Sequence, residues 1–368
     1  MAGRALRVGL VLLVTGIVVG GSVGAVIGAS MIVSGPALQA PGGVGDAPAP
    51  ATHENASAYE RLYEQSIDSV VKITVTTEDG SSQGSGFVYD DSHIVTNEHV
   101  VESADEVGVQ FADGSHRTAA VVGVDAYTDL AVVRVSDMPD SASSLPMATA
   151  DPSPGEPVVA LGAPFGLEGT ITHGIVSGVN RSMQVEGGFA IPDTVQTDAP
   201  INPGNSGGPL VSNDGTVVGV NRAKGGDNVG FAISAAVVER VVPALVQDGE
   251  YEHAYLGIRS VPVTPQLAEV NDLERASGVM VVETDPDGPS DSVFRIAETR
   301  EVDGVTHPTG GDVIVGIEGQ EIHTSQQLSR YLLLHTSPGE TVSVTVIRDG
   351  QRETVDVTLD RRPAVEEP

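Results

Sequence analysis

The stretch Gly204-Asn205-Ser206-Gly207-Gly208-Pro209-Leu210 sets one serine among three glycines, with a histidine and an aspartate suited to serve it upstream. A serine hydroxyl is a weak nucleophile at neutral pH. It needs a base to take its proton, a carboxylate to orient that base, and donors for the oxyanion formed at a carbonyl. Glycines beside it let the backbone turn tightly and leave room for the carbonyl. His99, in Val95-Thr96-Asn97-Glu98-His99-Val100-Val101, follows the strand-like run His93–Thr96. Asp129, in Thr128-Asp129-Leu130-Ala131-Val132-Val133, heads another apolar strand. Taken singly, these are a Gly-rich turn, a surface histidine and a loop carboxylate. Taken together they form an acyl-transfer constellation. No cluster of His, Cys, Asp or Glu has metal-ligand spacing, and the chemistry needs neither metal nor cofactor.

The order of the three residues separates two enzyme types. Gly204-x-Ser206-x-Gly208 fits the nucleophile elbow of α/β-hydrolases, but there serine precedes aspartate and histidine. Here histidine comes first and serine last, the chymotrypsin-type order, and βαβ patterning is missing. Further stretches fall in sequence around the three: Gln83-Gly84-Ser85-Gly86-Phe87-Val88, Gly162-Ala163-Pro164-Phe165-Gly166-Leu167, Gly174-Ile175-Val176-Ser177 and Gln196-Thr197-Asp198-Ala199-Pro200-Ile201-Asn202-Pro203. In this ordered set the chain resembles the HtrA/Deg family of trypsin-like serine proteases. The resemblance implies His99 as general base, Asp129 as its orienting carboxylate and Ser206 as nucleophile. It implies an oxyanion hole from the Gly204 and Ser206 amides, with Asn205 between them.

Short Val/Ile-rich runs separated by Gly, Asp and Pro must carry these residues: Val70–Thr76, Gly86–Tyr89, Val107–Phe111, Leu130–Val135, Val158–Gly162, Ile171–Val179 and Thr216–Asn221. Such runs indicate a mostly β fold, and the resemblance implies a chymotrypsin-like double β-barrel with the triad in the cleft. His173 falls in one of these runs and reads as a barrel or loop residue. Ser234 reads as an N-cap, followed by apolar residues at helical spacing from Val237 to Val246 and by Gly249 as a stop, with a possible kink at Pro243. The protease domain is thus expected over 58–250.

Tyr255-Leu256-Gly257-Ile258 resembles the carboxylate-binding loop of a PDZ domain, and Gly278–Val282, Gly311–Ile317 and Gly339–Ile347 resemble later PDZ strands. A PDZ domain is expected over 251–361, taking C-terminal peptides as an added strand, followed by an acidic tail, 362–368. Residues 288–310 form a longer, charged insertion than a compact PDZ domain carries; it reads as a lid, a contact to the protease or a salt-adapted loop. Arg181 opens a stretch, Ser182 to Asp193, matching the loop that senses the PDZ domain or its peptide in the family. Asn221, Ala223 and Lys224 fall on the strand lining the S1 pocket, and Lys224 replaces a commonly apolar residue. It would favour an acidic P1 residue or swing out and leave the pocket apolar.

Residues 8–45 carry no charged side chain, and Arg4 and Arg7 precede them. Residues 1–35 are read as a single-pass membrane anchor with the N-terminus inside, against secretion after signal cleavage, and 36–57 as a flexible Pro/Gly/Ala tether. The folded domains are then extracytoplasmic. The net charge of −31 argues against nucleic acid as a partner. Of 19 basic residues only Lys72 and Lys224 are lysine, and acidic residues spread through both domains. This composition resembles that of extreme halophiles, haloarchaea among them, and predicts loss of structure at low salt. There is no cysteine, so no disulfide supports the fold. The expected protein is a homotrimeric endopeptidase of unfolded or damaged proteins, with a peptide-binding chaperone or scaffold as the alternative.

Overall fold

The computed structural model describes residues 52–77, 80–102, 104–163, 169–185, 189–222 and 229–364. The described residues open with helix α1 (Thr52–Ser66), so the last residues of the stretch expected as a tether are helical. The expected anchor, residues 1–35, lies outside the described residues. Among the described residues no helix is long and apolar enough to cross a membrane.

Six strands follow: β1 (Val70–Thr77), β2 (Gly80–Val88), β3 (His93–Thr96), β4 (Glu106–Gln110), β5 (His116–Asp125) and β6 (Leu130–Arg134), with the one-turn helix α2 (Glu98–Val101) after β3. They close into an antiparallel barrel in the order β1-β2-β3-β6-β5-β4, the ring shut by β1 pairing with β4. A second barrel repeats the plan with β7 (Pro157–Gly162), β8 (Thr170–Gln184), β9 (Ala190–Thr197), β10 (Pro209–Ser212), β11 (Val217–Arg222) and β12 (Gly230–Ser234), in the order β10-β11-β12-β9-β8-β7.

Several strands are apolar at consecutive positions because both their faces are buried. In β6, Ala131 and Val133 pack inside the first barrel, while Leu130 and Val132 face a core shared with the second. In β7, Val158 and Ala160 fill the second barrel and Val159 and Leu161 face that shared core. Period-two geometry divides each strand between two cores, and each fully buried Val or Leu contributes about 1.5–3 kcal/mol. Helix α3 (Ala235–Asp248) seals the shared core with Val237, Val238, Val241, Val242 and Leu245. The Ser234 hydroxyl caps it by accepting from the Val237 amide, and Gly249 ends it in the left-handed conformation.

Beyond α3 come β13 (Ala254–Tyr255), β14 (Ile258–Pro262), α4 (Pro265–Val270), β15 (Val279–Thr284), β16 (Glu298–Val302), β17 (Val305–Thr309), β18 (Val313–Ile317), β19 (Gln320–Glu321), α5 (Ser325–His335), β20 (Thr341–Arg348), β21 (Gln351–Thr358) and β22 (Asp360–Arg361). The main sheet runs β14-β15-β18-β20-β21, with β19 on β18. Leu256, Val279, Val281, Ile314, Ile317 and Leu328 build its core. The charged insertion is the hairpin β16–β17, tied to α4 where Asn271 Nδ2 donates to the Pro308 carbonyl (3.1 Å) and Arg300 to that of Val270 (2.8 Å).

Helix α5 also meets the second barrel. Arg330 donates to Asp193 on β9 and to Asp151, each at 2.8 Å. The connector joins in through His253 Nε2, 2.9 Å from the Asp125 carboxylate at the end of β5.

Candidate active site

His99 stands on α2, whose Val100 and Val101 are held in the first barrel's core, so the turn is anchored by its apolar side. Asn97, fully buried, donates from Nδ2 to the Asp129 carbonyl at 2.9 Å. Asp129 itself sits at φ 54° at the mouth of β6. Its carboxylate accepts from the His99 backbone amide at 3.0 Å and meets His99 Nδ1 at 2.9 Å from both oxygens. A carboxylate only accepts, so Nδ1 carries the proton and Nε2 keeps the lone pair a general base needs. The Asp129 side chain is 4% exposed and that of His99 39%, one shielded from water and the other open to the cleft. Beside them, burial pushes the Glu98 carboxyl up, and the charges of Asp129 and Glu102 push it further. Behind them, Thr128 Oγ1 donates to Asp125 at 2.5 Å, the carboxylate His253 also holds.

Ser206 arrives from the second barrel. Its carbonyl accepts from the Ser85 amide (2.8 Å), and Ser85 Oγ donates to the Gly204 carbonyl (2.6 Å). Gly204 and Gly207 adopt φ 98° and 85°. At Gly207 a Cβ would stand 2.1 Å from the Ser85 carbonyl and 2.3 Å from Thr96 Oγ1, so only glycine fits. The serine turn is thus pressed against the end of β3, which leads into His99. The Asn205 amide is engaged by the Asn202 carbonyl (3.0 Å), whereas those of Gly204 and Ser206 bond to no other described residue. His99 and Asp129 are joined directly. Ser206 Oγ is brought to the same strand end without a hydrogen bond to His99 in this structure.

One contact at this site was not foreshadowed. Arg222, the last residue of β11, donates from Nε to Asp129 Oδ2. The partners lie 93 positions apart in the chain, so no local spacing reveals the pair. Of the residues read as the S1 wall, Asn221 is fully buried and donates to the carbonyls of Leu161 (3.2 Å) and Pro209 (3.0 Å), which commits its amide to the barrel. Ala223 and Lys224 lie outside the described residues.

The stretch from Ser182 to Asp193, expected as a loop after Arg181, is mostly strand: β8 runs to Gln184 and β9 starts at Ala190. Arg181 lies within β8, and its Nε sits 2.9 Å from where a Cβ on Gly178 would stand, so its guanidinium packs over Gly178. Tyr255, Leu256, Gly257 and Ile258 line a cavity of about 320 Å³ whose other wall includes Leu328 and Leu332 of α5. Tyr127 and Thr128, directly before Asp129, border the same cavity. The Tyr255 hydroxyl donates to Asp285, and burial followed by that carboxylate pushes it up to about 12.

Two barrels carrying a histidine–aspartate pair against a glycine-flanked serine define a trypsin-like serine peptidase fold, here joined to a PDZ fold. Residues 84–220 match the trypsin-like peptidase domain and residues 254–359 the PDZ domain. The chain is 37% identical over 297 residues to a probable periplasmic serine endoprotease, DegP-like, of Halomonas elongata, covering 78% of this chain and 58% of that one. It is 36% identical over 322 residues to the chloroplastic Protease Do-like 1 of Arabidopsis thaliana, covering 82% of this chain and 72% of that one. Among solved structures, the HtrA-type protease AlgW with tripeptide superposes with a TM-score of 0.68 at 30% identity, over 83% of this chain and 98% of that one. The chain belongs to the HtrA/DegP-like family of trypsin-like serine proteases with a C-terminal PDZ domain.

Proposed function

We propose that the protein is a serine endopeptidase that cleaves unfolded or damaged proteins outside the cytoplasm. The observation that carries this reading is the buried Asp129 carboxylate on His99 Nδ1, which leaves Nε2 with the lone pair a general base needs. Ser206 Oγ attacks a peptide carbonyl as His99 Nε2 takes its proton. The resulting oxyanion is held by the Gly204 and Ser206 amides. The C–N bond then breaks, His99 returns the proton to the leaving amine, and water attacks the acyl-enzyme by the same route. Asn205 shapes the turn between the two donors. Asn221, Ala223 and Lys224 line the S1 pocket, where Lys224 either favours an acidic P1 residue or swings out and leaves the pocket apolar.

The domain bounds follow the same reading: an anchor to residue 35, a tether that ends where helix α1 begins at Thr52, a protease domain running to 250, a PDZ domain over 251–361 and a short acidic tail. The PDZ cavity takes C-terminal peptides with the Tyr255–Ile258 backbone holding the carboxylate. The strand arms around Arg181 report that event to the active site. Trimer assembly rests on the family resemblance, membrane anchoring on the uncharged run 8–45, and dependence on high salt on the net charge of −31. A casein assay tests the reading: the chain and its Ser206→Ala variant are compared in high and low potassium chloride. Cleavage by the unaltered chain alone, in high salt, is expected. Equal cleavage by both removes Ser206 from the chemistry, and no cleavage by either favours a peptide-binding chaperone.

A further inference from the structure

Asp129 Oδ2 accepts from two cation-forming partners, His99 Nδ1 and Arg222 Nε. The Arg222 side chain is 22% exposed against 4% for Asp129, so the pair is largely withdrawn from solvent. A guanidinium stays charged throughout the working pH range. The imidazole of His99 becomes charged only as it accepts the serine proton, and the carboxylate is there to stabilise that change. With Arg222 on the same oxygen, part of the Asp129 charge is already matched before the reaction starts.

The remaining charged neighbours do not undo this. Glu98 and Glu102 lie on or beside α2, and burial and mutual repulsion push the Glu98 carboxyl up. Asp125, at the end of β5, is engaged by Thr128 and His253. Among the described residues, Arg222 is the cation in contact with Asp129, whose other side-chain partner is His99.

We propose that Arg222 is a positioning residue that both fixes the Asp129 carboxylate and restrains the triad, because its charge opposes the one that forms on His99. This deepens the serine-peptidase reading and rests on it. Like unit charges about 6 Å apart, at an effective dielectric between about 20 near a protein surface and about 80 in water, alter a rate by about threefold to about a hundredfold, and tenfold lies within that range. Removing the charge should therefore speed the reaction, whereas removing a mere structural brace would slow it.

The test is steady-state cleavage of a peptide substrate at fixed salt by the full chain and by Arg222→Gln, Arg222→Lys and Ser206→Ala, with thermal melting as the check on folding. Arg222→Gln is expected to raise kcat about tenfold with KM little changed, and Arg222→Lys, which keeps the charge, to gain less. A kcat for Arg222→Gln at or below that of the unaltered chain overturns the restraint and leaves the peptidase reading standing. Rates for the unaltered chain and Arg222→Gln that both equal that of Ser206→Ala sink the peptidase reading and the restraint with it. Should Arg222→Gln fail to fold, Arg222→Thr takes its place with the same expected gain; failure of both to fold makes Arg222 a structural brace and overturns the proposal.

Discussion

Replacing Arg330 with leucine should destabilise the protein in a pH-dependent way. Asp193 is 2% exposed at its side chain and is held by two donors, Ser234 Oγ at 2.7 Å and Arg330 Nε at 2.8 Å. Burial pushes its carboxyl up; Ser234 and Arg330 pull against that in smaller measure, and Asp151 adds to the rise. Breaking a fully buried ion pair by removing one partner costs about 3–5 kcal/mol. Arg330 is 28% exposed and Ser234 would remain, so about 2 kcal/mol is the better figure here. The sign follows from the upward direction. A carboxyl raised in the folded state weighs against stability above its folded pKa. That burden is relieved as pH falls through the folded value, and it is gone below the unfolded value of about 3.9. The leucine variant adds to the burden only where Asp193 is ionised. Calorimetry should therefore show Tm lowered by about 4 °C at pH 7 and by clearly less at pH 4. An equal drop at both pH values, or none at pH 7, would refute the assignment of that energy to the buried charge.

Gly207→Ala places a Cβ 2.1 Å from the Ser85 carbonyl at a left-handed φ, so turnover should fall by about a hundred-fold or more as the oxyanion donors move; kcat for peptide cleavage checks it. Thr128→Val removes the hydroxyl that Asp125 accepts from while keeping the shape, and urea unfolding should show a loss of about 1–2 kcal/mol. Glu98→Gln removes a carboxyl pushed up chiefly by burial. The ionised form weighs against the fold above the raised pKa, so this variant should gain stability at pH 7 and none at pH 4, read from Tm at the two pH values.

The catalytic candidates were legible because each is bound to a local pattern. His99 follows a short apolar strand, Asp129 heads one, and the glycines about Ser206 mark a turn no other residue could make. The Ser234 cap and the Gly249 stop of α3 were legible for the same reason, since capping is local chemistry. Arg222 was hidden because its partner sits on the other barrel, and only closure of both barrels brings them together. The arms beyond Arg181 were misjudged as loop because Ser182, Gln184 and Asp193 are polar. Their ladder is set by cross-strand pairing, Met183 with Ile191 and Gln184 with Ala190, and not by hydrophobic content. The first residues of helix α1, Thr52–Ser57, were missed because their small and polar composition continues that of the preceding tether.

Closure of the two barrels has a consequence if, as proposed, the protein handles unfolded chains. Such chains are full of segments ready to zip onto any unpaired strand rim, and a rim that accepts them indiscriminately becomes a seed for aggregation. Among the described residues each barrel closes on itself, through β1 on β4 and through β7 on β10. In the main sheet of the second domain the outer strand β21 is lined by exposed Arg352, Glu353 and Asp356, which discourage a newcomer. The opposite margin, β14, borders the cavity roofed by α5. On the proposed reading, the molecule works among sticky clients while keeping a sheltered berth for an extended backbone beside β14.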